Sequence, residues 1–212
     1  ETGRHAYKSF RADGREYELL IWGQGNHDID RIAGDIAKFA PVAGKMWGAY
    51  PFERYVWMVH SGTELRGATE HLNSTIISKD RWSFAPREDY VKFIRTAAHE
   101  FVHTWNVKAY RPDGLVPYDY SDENYSRLLW VAEGTTSYFE GLLVLRSGVV
   151  SAKEYFKELA AIIEKHRNRP GRKQFSVADA SFDAWIDEGG DRGNNASVDI
   201  YDQGELTSLV LD

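Results

Sequence analysis

From Arg87 to Lys108 the chain reads REDYVKFIRTAAHEFVHTWNVK. Tyr90, Ile94, Ala97, Phe101 and Trp105 recur every three or four positions, so the spacing predicts an amphipathic helix, entered just after Pro86. Inside it lies His99-Glu100-Phe101-Val102-His103, an H-E-x-x-H motif. Four residues advance a helix by about 400°, which puts both imidazoles on one face, about one turn apart, where they can share a metal ion. Glu100 sits beside them without ligating. From there its carboxylate can hold a water and accept its proton, while zinc lowers the pKa of that water from ~15.7 towards ~7.

A catalytic zinc takes a third protein ligand and keeps an open position. Glu133 is the candidate, thirty residues after His103 in the apolar run LLWVAEGTTSYF, where a buried carboxylate needs a cation or hydrogen-bond donors. Glu140 lies seven residues further, about two turns along the same face, and can accept the second ring N–H of a ligand histidine.

Composition narrows the remaining classes. The 212 residues are 42% apolar and include 7 Trp, 12 Tyr and 10 Phe, which excludes a disordered chain. With 26 basic and 32 acidic residues, a formal charge of −6 and no long single-sign run, a nucleic-acid partner is not expected. The absence of cysteine excludes disulfides, iron–sulfur clusters, a thiol nucleophile and cysteine-ligated zinc, so any metal falls to His, Asp and Glu. No membrane span or uncleaved signal is expected. The sequons at Asn73, Asn124 and Asn195 are compatible with secretion. The compartment stays open, an exported or periplasmic bacterial setting being slightly favoured over a cytoplasmic one; the oligomeric state is open too.

Outward from the motif, the first 85 residues read as sheet with one helix. Strands are expected at Arg15–Trp22 and Phe52–His60, a helix with Ile29, Ile32, Ala33, Ile36, Ala37 and Phe39 on one face, and an edge strand with its turns in SGTELRGATEHLNSTIIS. Residues 86–212 read as helices: one through WVAEGTTSYFE closed by Gly148, two opened by capping boxes at Ser151/Glu154 and Ser176/Asp179, and a last one from about Gly204. The expectation is an α+β fold with a β-rich part at 1–85 and a helical, zinc-bearing part at 86–212. The last helix has no stop signal, so a piece of a longer protein is expected.

Several separate motifs resemble the glycyl aminopeptidase family of gluzincin zinc metallopeptidases, whose members often carry a C-terminal PDZ domain. HEFVHTWNVK (His99–Lys108), followed by Arg111-Pro112, resembles its extended zinc-helix signature. WVAEGTTSYFE (Trp130–Glu140) resembles the helix of the third ligand, GATEHLNS (Gly67–Ser74) the edge strand that binds the substrate N-terminus, and YDQG (Tyr201–Gly204) the segment before the next helix. Two departures stand out: Ala68-Thr69 replace a Gly-Leu or Gly-Met type pair, and Gln203 replaces a lysine.

The resemblance implies a thermolysin-like domain with an edge strand over the cleft. It also implies zinc on His99, His103 and Glu133, Glu100 as general base and proton shuttle, and Tyr201 as a donor to the tetrahedral oxyanion. Gly67, Ala68, Thr69 and Glu70 would bind substrate, Glu70 by pairing with an α-ammonium, which makes an aminopeptidase acting on peptides with a free N-terminus. Preference for glycine or alanine there is likewise implied by the family. The alternatives are a thermolysin-like zinc endopeptidase and a non-catalytic peptide-binding domain.

Overall fold

A computed structural model describes residues 3–186 and 190–212. By internal packing the chain divides into two units. One comprises the chain through Ala109 together with Glu140–Ser151; the other comprises Tyr110–Phe139 and Ala152–Asp212. This division falls after Ala109, whereas the shift in sequence pattern falls at residues 85 and 86.

The first unit is built on a five-stranded mixed sheet: β1 (His5–Ala12), β2 (Arg15–Trp22), β3 (Arg54–Gly62), β4 (Ala68–Glu70) and β5 (Ser74–Asp80), in the order β1-β2-β3-β5-β4. In β2 the alternation of REYELLIW buries Tyr17, Leu19 and Ile21 on one face. The parallel register sets these opposite Tyr55, Trp57 and Val59 of β3, so one face of this strand pair is apolar. Parallel strands need a long crossover. Here α1 (Ile29–Ile36) and α2 (Phe39–Trp47) supply it between β2 and β3.

The single helix expected over Ile29–Phe39 is therefore two. Asp28 caps α1 by accepting from the backbone N–H groups of Asp30 and Arg31. Pro41 explains the break, because its ring would clash with the carbonyl of Ala37 in a continuous helix. The apolar stripe nevertheless runs on through buried Ile32, Ile36, Phe39, Ala40 and Ala43. Strand β1 is an addition to the sequence reading. Its side chains are largely exposed and show no inward alternation, but Asp13-Gly14, with φ of 47° and 78°, is a two-residue hairpin turn joining it to β2.

The expected edge strand is β4, three residues long, antiparallel to β5 with Ala68 opposite Ile77 and Glu70 opposite Thr75. That register puts Ala68 and Glu70 on the face shared with Trp57 and Val59, and Thr69 on the other.

Helix α3 (Arg87–Val102) lies against this face. Trp57 Nε1 donates to the carbonyl of Ala97 at 3.1 Å, and the buried Tyr55 hydroxyl donates to the carbonyl of Glu100 at 3.1 Å. The second bond satisfies one of the four orphan carbonyls at the helix end. Phe101 packs among Tyr55, Trp57 and Trp105 with ring centroids 5.0, 5.2 and 5.3 Å away. Each histidine is two residues, about 200°, from Phe101, so anchoring Phe101 in this aromatic core directs both imidazoles from the opposite side of α3.

The second unit is helical. It contains the first part of α4 (Leu129–Arg146), α5 (Ala152–Asn168), α6 (Val177–Phe182), α7 (Gly190–Ala196) and α8 (Ile200–Leu211), with single 3₁₀ turns at Pro170–Lys173 and Asp183–Ile186. Ser176 caps α6 by accepting from the N–H of Asp179, as the capping-box spacing predicts. Helix α8 starts at Ile200, four residues before the expected Gly204. The reason is Asp199, whose carboxylate accepts from the N–H groups of Tyr201 and Asp202. Gly148, at φ 73°, follows α4 as expected. No helix among the described residues is long and apolar enough to cross a membrane.

Candidate metal and peptide-binding site

His103 closes α3 in helical geometry (φ −58°, ψ −19°), its N–H donating to the carbonyl of His99 at 3.1 Å. The two imidazoles meet edge to face with centroids 4.6 Å apart, and their ring nitrogens come within 4.8 Å of one another. Both residues are buried, as is Glu100 between them.

Each ring has its Nδ1 committed. His99 Nδ1 lies 2.7 Å from Glu140 Oε2, and Glu140 Oε1 lies 2.5 Å from Arg95 Nε. Burial alone would raise the carboxyl pKa of Glu140. The Arg95 charge and the hydrogen bonds from His99 and Arg95 outweigh it and hold the group below its ordinary value. Glu140 is thus a carboxylate, an acceptor only, and the His99 Nδ1–H must donate to it. His103 Nδ1–H donates to the Asn106 carbonyl at 2.8 Å. In both rings Nε2 is then the basic nitrogen, which is the arrangement a divalent metal requires.

Glu70 reaches the same place from β4. Its carboxylate, one from Glu100 and a ring nitrogen of His103 all lie within 4.8 Å of one another. Lys108 Nζ stands 3.1 Å from Glu70 Oε1. Gly67, at φ 105°, opens the strand, and its carbonyl accepts from the N–H of Ser78 at 2.8 Å. Thr69 turns its side chain to the other sheet face, so of this residue only the backbone belongs to the edge beside Glu70.

The other two expected site residues belong to the second unit. Glu133 is half-buried on α4, and Tyr201 is 45% exposed in the first turn of α8. These two helices meet at glycines: a Cβ built on Gly134 would fall 2.4 Å from Gly204 Cα and 2.6 Å from the carbonyl oxygen of Ile200. The Thr135 and Ser208 hydroxyls hydrogen-bond across the same contact at 2.9 Å, and Tyr138 donates to Asp212 at 2.7 Å. Gln203 lies in the same first turn of α8.

Asn106 and Lys108 stand in the HEFVHTWNVK motif, but the bond of His103 to the Asn106 carbonyl, the reach of Lys108 to Glu70, and the parts played by Arg95 and Tyr55 escaped the sequence reading. Arg95 left a signal of its own, since it shares a helix face with His99, four residues away, and a buried Glu140 would call for a cation.

A solved structure of an aminopeptidase N family protein from Idiomarina loihiensis superposes on this chain with a TM-score of 0.94 at 30% identity. The match covers 99% of this chain and 37% of that one, so this chain spans little more than a third of that relative. The M1 zinc metallopeptidase of Deinococcus radiodurans, solved as a variant bound to a Tyr-Ser-Ala substrate, shares the fold at a TM-score of 0.57 and 18% identity, over 96% of this chain and 39% of its own. Comparison with curated proteins gave no match. The family model described as M61 glycyl aminopeptidase matches residues 92–207, more than half of the chain and the whole stretch from the H-E-x-x-H helix into α8; the chain belongs to that family.

Proposed function

We propose that this chain is the catalytic part of a zinc aminopeptidase that removes small N-terminal residues, glycine or alanine, from peptides. The observation that carries this reading is the closeness of Glu70 to Glu100 and His103. A substrate α-ammonium held by charge-assisted hydrogen bonds to Glu70 leaves room for one residue before the bond that meets Glu100. The open edge of β4 supports the same reading, since an extended peptide paired there is bound through its backbone.

The metal would be held by Nε2 of His99 and His103 and by Glu133. Glu133 enters this set as the glutamate of the WVAEGTTSYFE motif on α4, through family membership. A bound zinc supplies Lewis-acid polarisation of the scissile carbonyl and acidifies water. Glu100 accepts the proton of the attacking water and passes it to the leaving amine. Tyr201 donates a hydrogen bond to the oxygen that becomes negative. His99 and His103 keep their orientation through Glu140 and the Asn106 carbonyl. Glycine and alanine selectivity rests on family membership.

The test compares glycine and alanine p-nitroanilides with their N-acetylated forms. The expected result is turnover of the free forms only. An endopeptidase with the same metal site would retain activity on blocked, internally cleavable peptides, and that result would overturn the reading.

A further inference from the structure

Lys108 lies five residues after His103, in the turn that follows α3, where its backbone N–H donates to the carbonyl of His103 at 3.0 Å. Its side chain reaches β4, with Nζ 3.1 Å from Glu70 Oε1. The pair is not an ordinary surface ion pair, because the two side chains are only 20% and 25% exposed. Both residues are therefore held on structured backbone, one beyond the zinc-binding helix and the other at the end of a three-residue strand.

Glu70 has three side-chain torsions and a second carboxylate, that of Glu100, nearby. Coulomb repulsion between the two carboxylates favours rotamers that carry Glu70 away. Lys108 opposes this. With its ammonium on Oε1, the Glu70 carboxylate is oriented and partly neutralised, and it can still accept from a second ammonium, because a carboxylate has about four acceptor sites.

We infer that Lys108 is a positioning residue for the substrate N-terminus: by fixing Glu70 it sets how far the α-ammonium lies from Glu100, and so which peptide bond is presented. This rests on the reading of Glu70 as the α-ammonium acceptor. A misplacement of about 1 Å in a reacting bond costs about a hundredfold in rate, so the effect belongs mainly in kcat. A lysine that merely fastened the end of α3 to β4 would affect thermal stability and leave substrate discrimination untouched.

The experiment uses the zinc-loaded chain with Lys108→Met, Lys108→Gln, Lys108→Arg and Glu70→Gln. For each, kcat and KM are measured separately on alanine p-nitroanilide, any residual rate on its N-acetylated form is read at the same concentration, and binding of alanine amide to the metal-free protein is followed by calorimetry. Lys108→Met is expected to lower kcat on the free substrate about 10- to 100-fold. KM should change less, the preference for free over acetylated substrate should fall with kcat, and alanine amide binding should weaken. Lys108→Arg should restore most of the preference by returning a cation to Glu70.

Wild-type kcat, preference and alanine amide binding in Lys108→Met would overturn the inference, with or without a lower Tm. Should that variant not fold, Lys108→Gln carries the same contrast. Failure of the underlying reading looks different: wild type itself would show no preference for the free N-terminus, or Glu70→Gln would keep it.

Discussion

Gly134 and Gly204 leave no room for a methyl group between α4 and α8: a Cβ on the first would lie 2.4 Å from Cα of the second, and a Cβ on Gly204 would lie 2.7 Å from the carbonyl oxygen of Trp130. Backbone meets backbone at this point of the contact, with no side chain interposed. Each glycine adjoins a proposed functional position, Glu133 on one helix and the Tyr201 turn on the other. Gly134→Ala is expected to destabilise the protein by about 1–3 kcal/mol, as overpacking does. It should also lower kcat by moving Glu133 relative to Tyr201. Calorimetric unfolding with parallel kinetics checks both; unchanged values for each would mean that the helices separate freely.

Glu140→Gln keeps a side chain of the same size but replaces the carboxylate that takes the His99 Nδ1–H and faces Arg95. Zinc affinity is expected to fall about 10- to 100-fold, the usual cost of losing such a partner. Competition with a chromophoric chelator measures it. Arg95→Met should weaken zinc in the same direction, since Glu140 then has one donor fewer to hold it charged.

Tyr55→Phe removes the hydroxyl that satisfies the Glu100 carbonyl and leaves that buried acceptor without the bond. The expected loss is about 1–3 kcal/mol of unfolding free energy, read from urea titration. Zinc stoichiometry should be retained, because Phe101 remains anchored by Trp57 and Trp105.

Chelation should abolish peptide hydrolysis, and stoichiometric zinc should restore it. Glu100→Gln and Tyr201→Phe should both bind zinc by elemental analysis yet turn over slowly, with Tyr201→Phe slower by about 10²–10³-fold, the range for one oxyanion donor. Full activity in Glu100→Gln would remove the general-base role.

The helical period of Arg87–Lys108 was enough to put His99 and His103 on one side of a helix and Phe101 on the other, because side-chain direction along a helix follows from residue spacing alone. The same holds for the alternation of β2, the capping at Ser176 and the Gly148 terminus. Pro41 and Asp13-Gly14 show the limit of that reading. Both signals were local and legible, but an apolar stripe that continues across a helix break, and a strand with exposed side chains, mask them.

What the sequence by itself determined is the donor chemistry: a cysteine-free chain with an H-E-x-x-H helix, a buried-type glutamate on a later helix, and motifs of one peptidase family. What only the tertiary structure decided is who holds whom. Arg95 with Glu140, Lys108 with Glu70 and Gly134 with Gly204 are separated by 45, 38 and 70 residues. Contacts at such separations depend on how sheet register and helix packing bring distant backbone together, and neither periodicity nor capping records that.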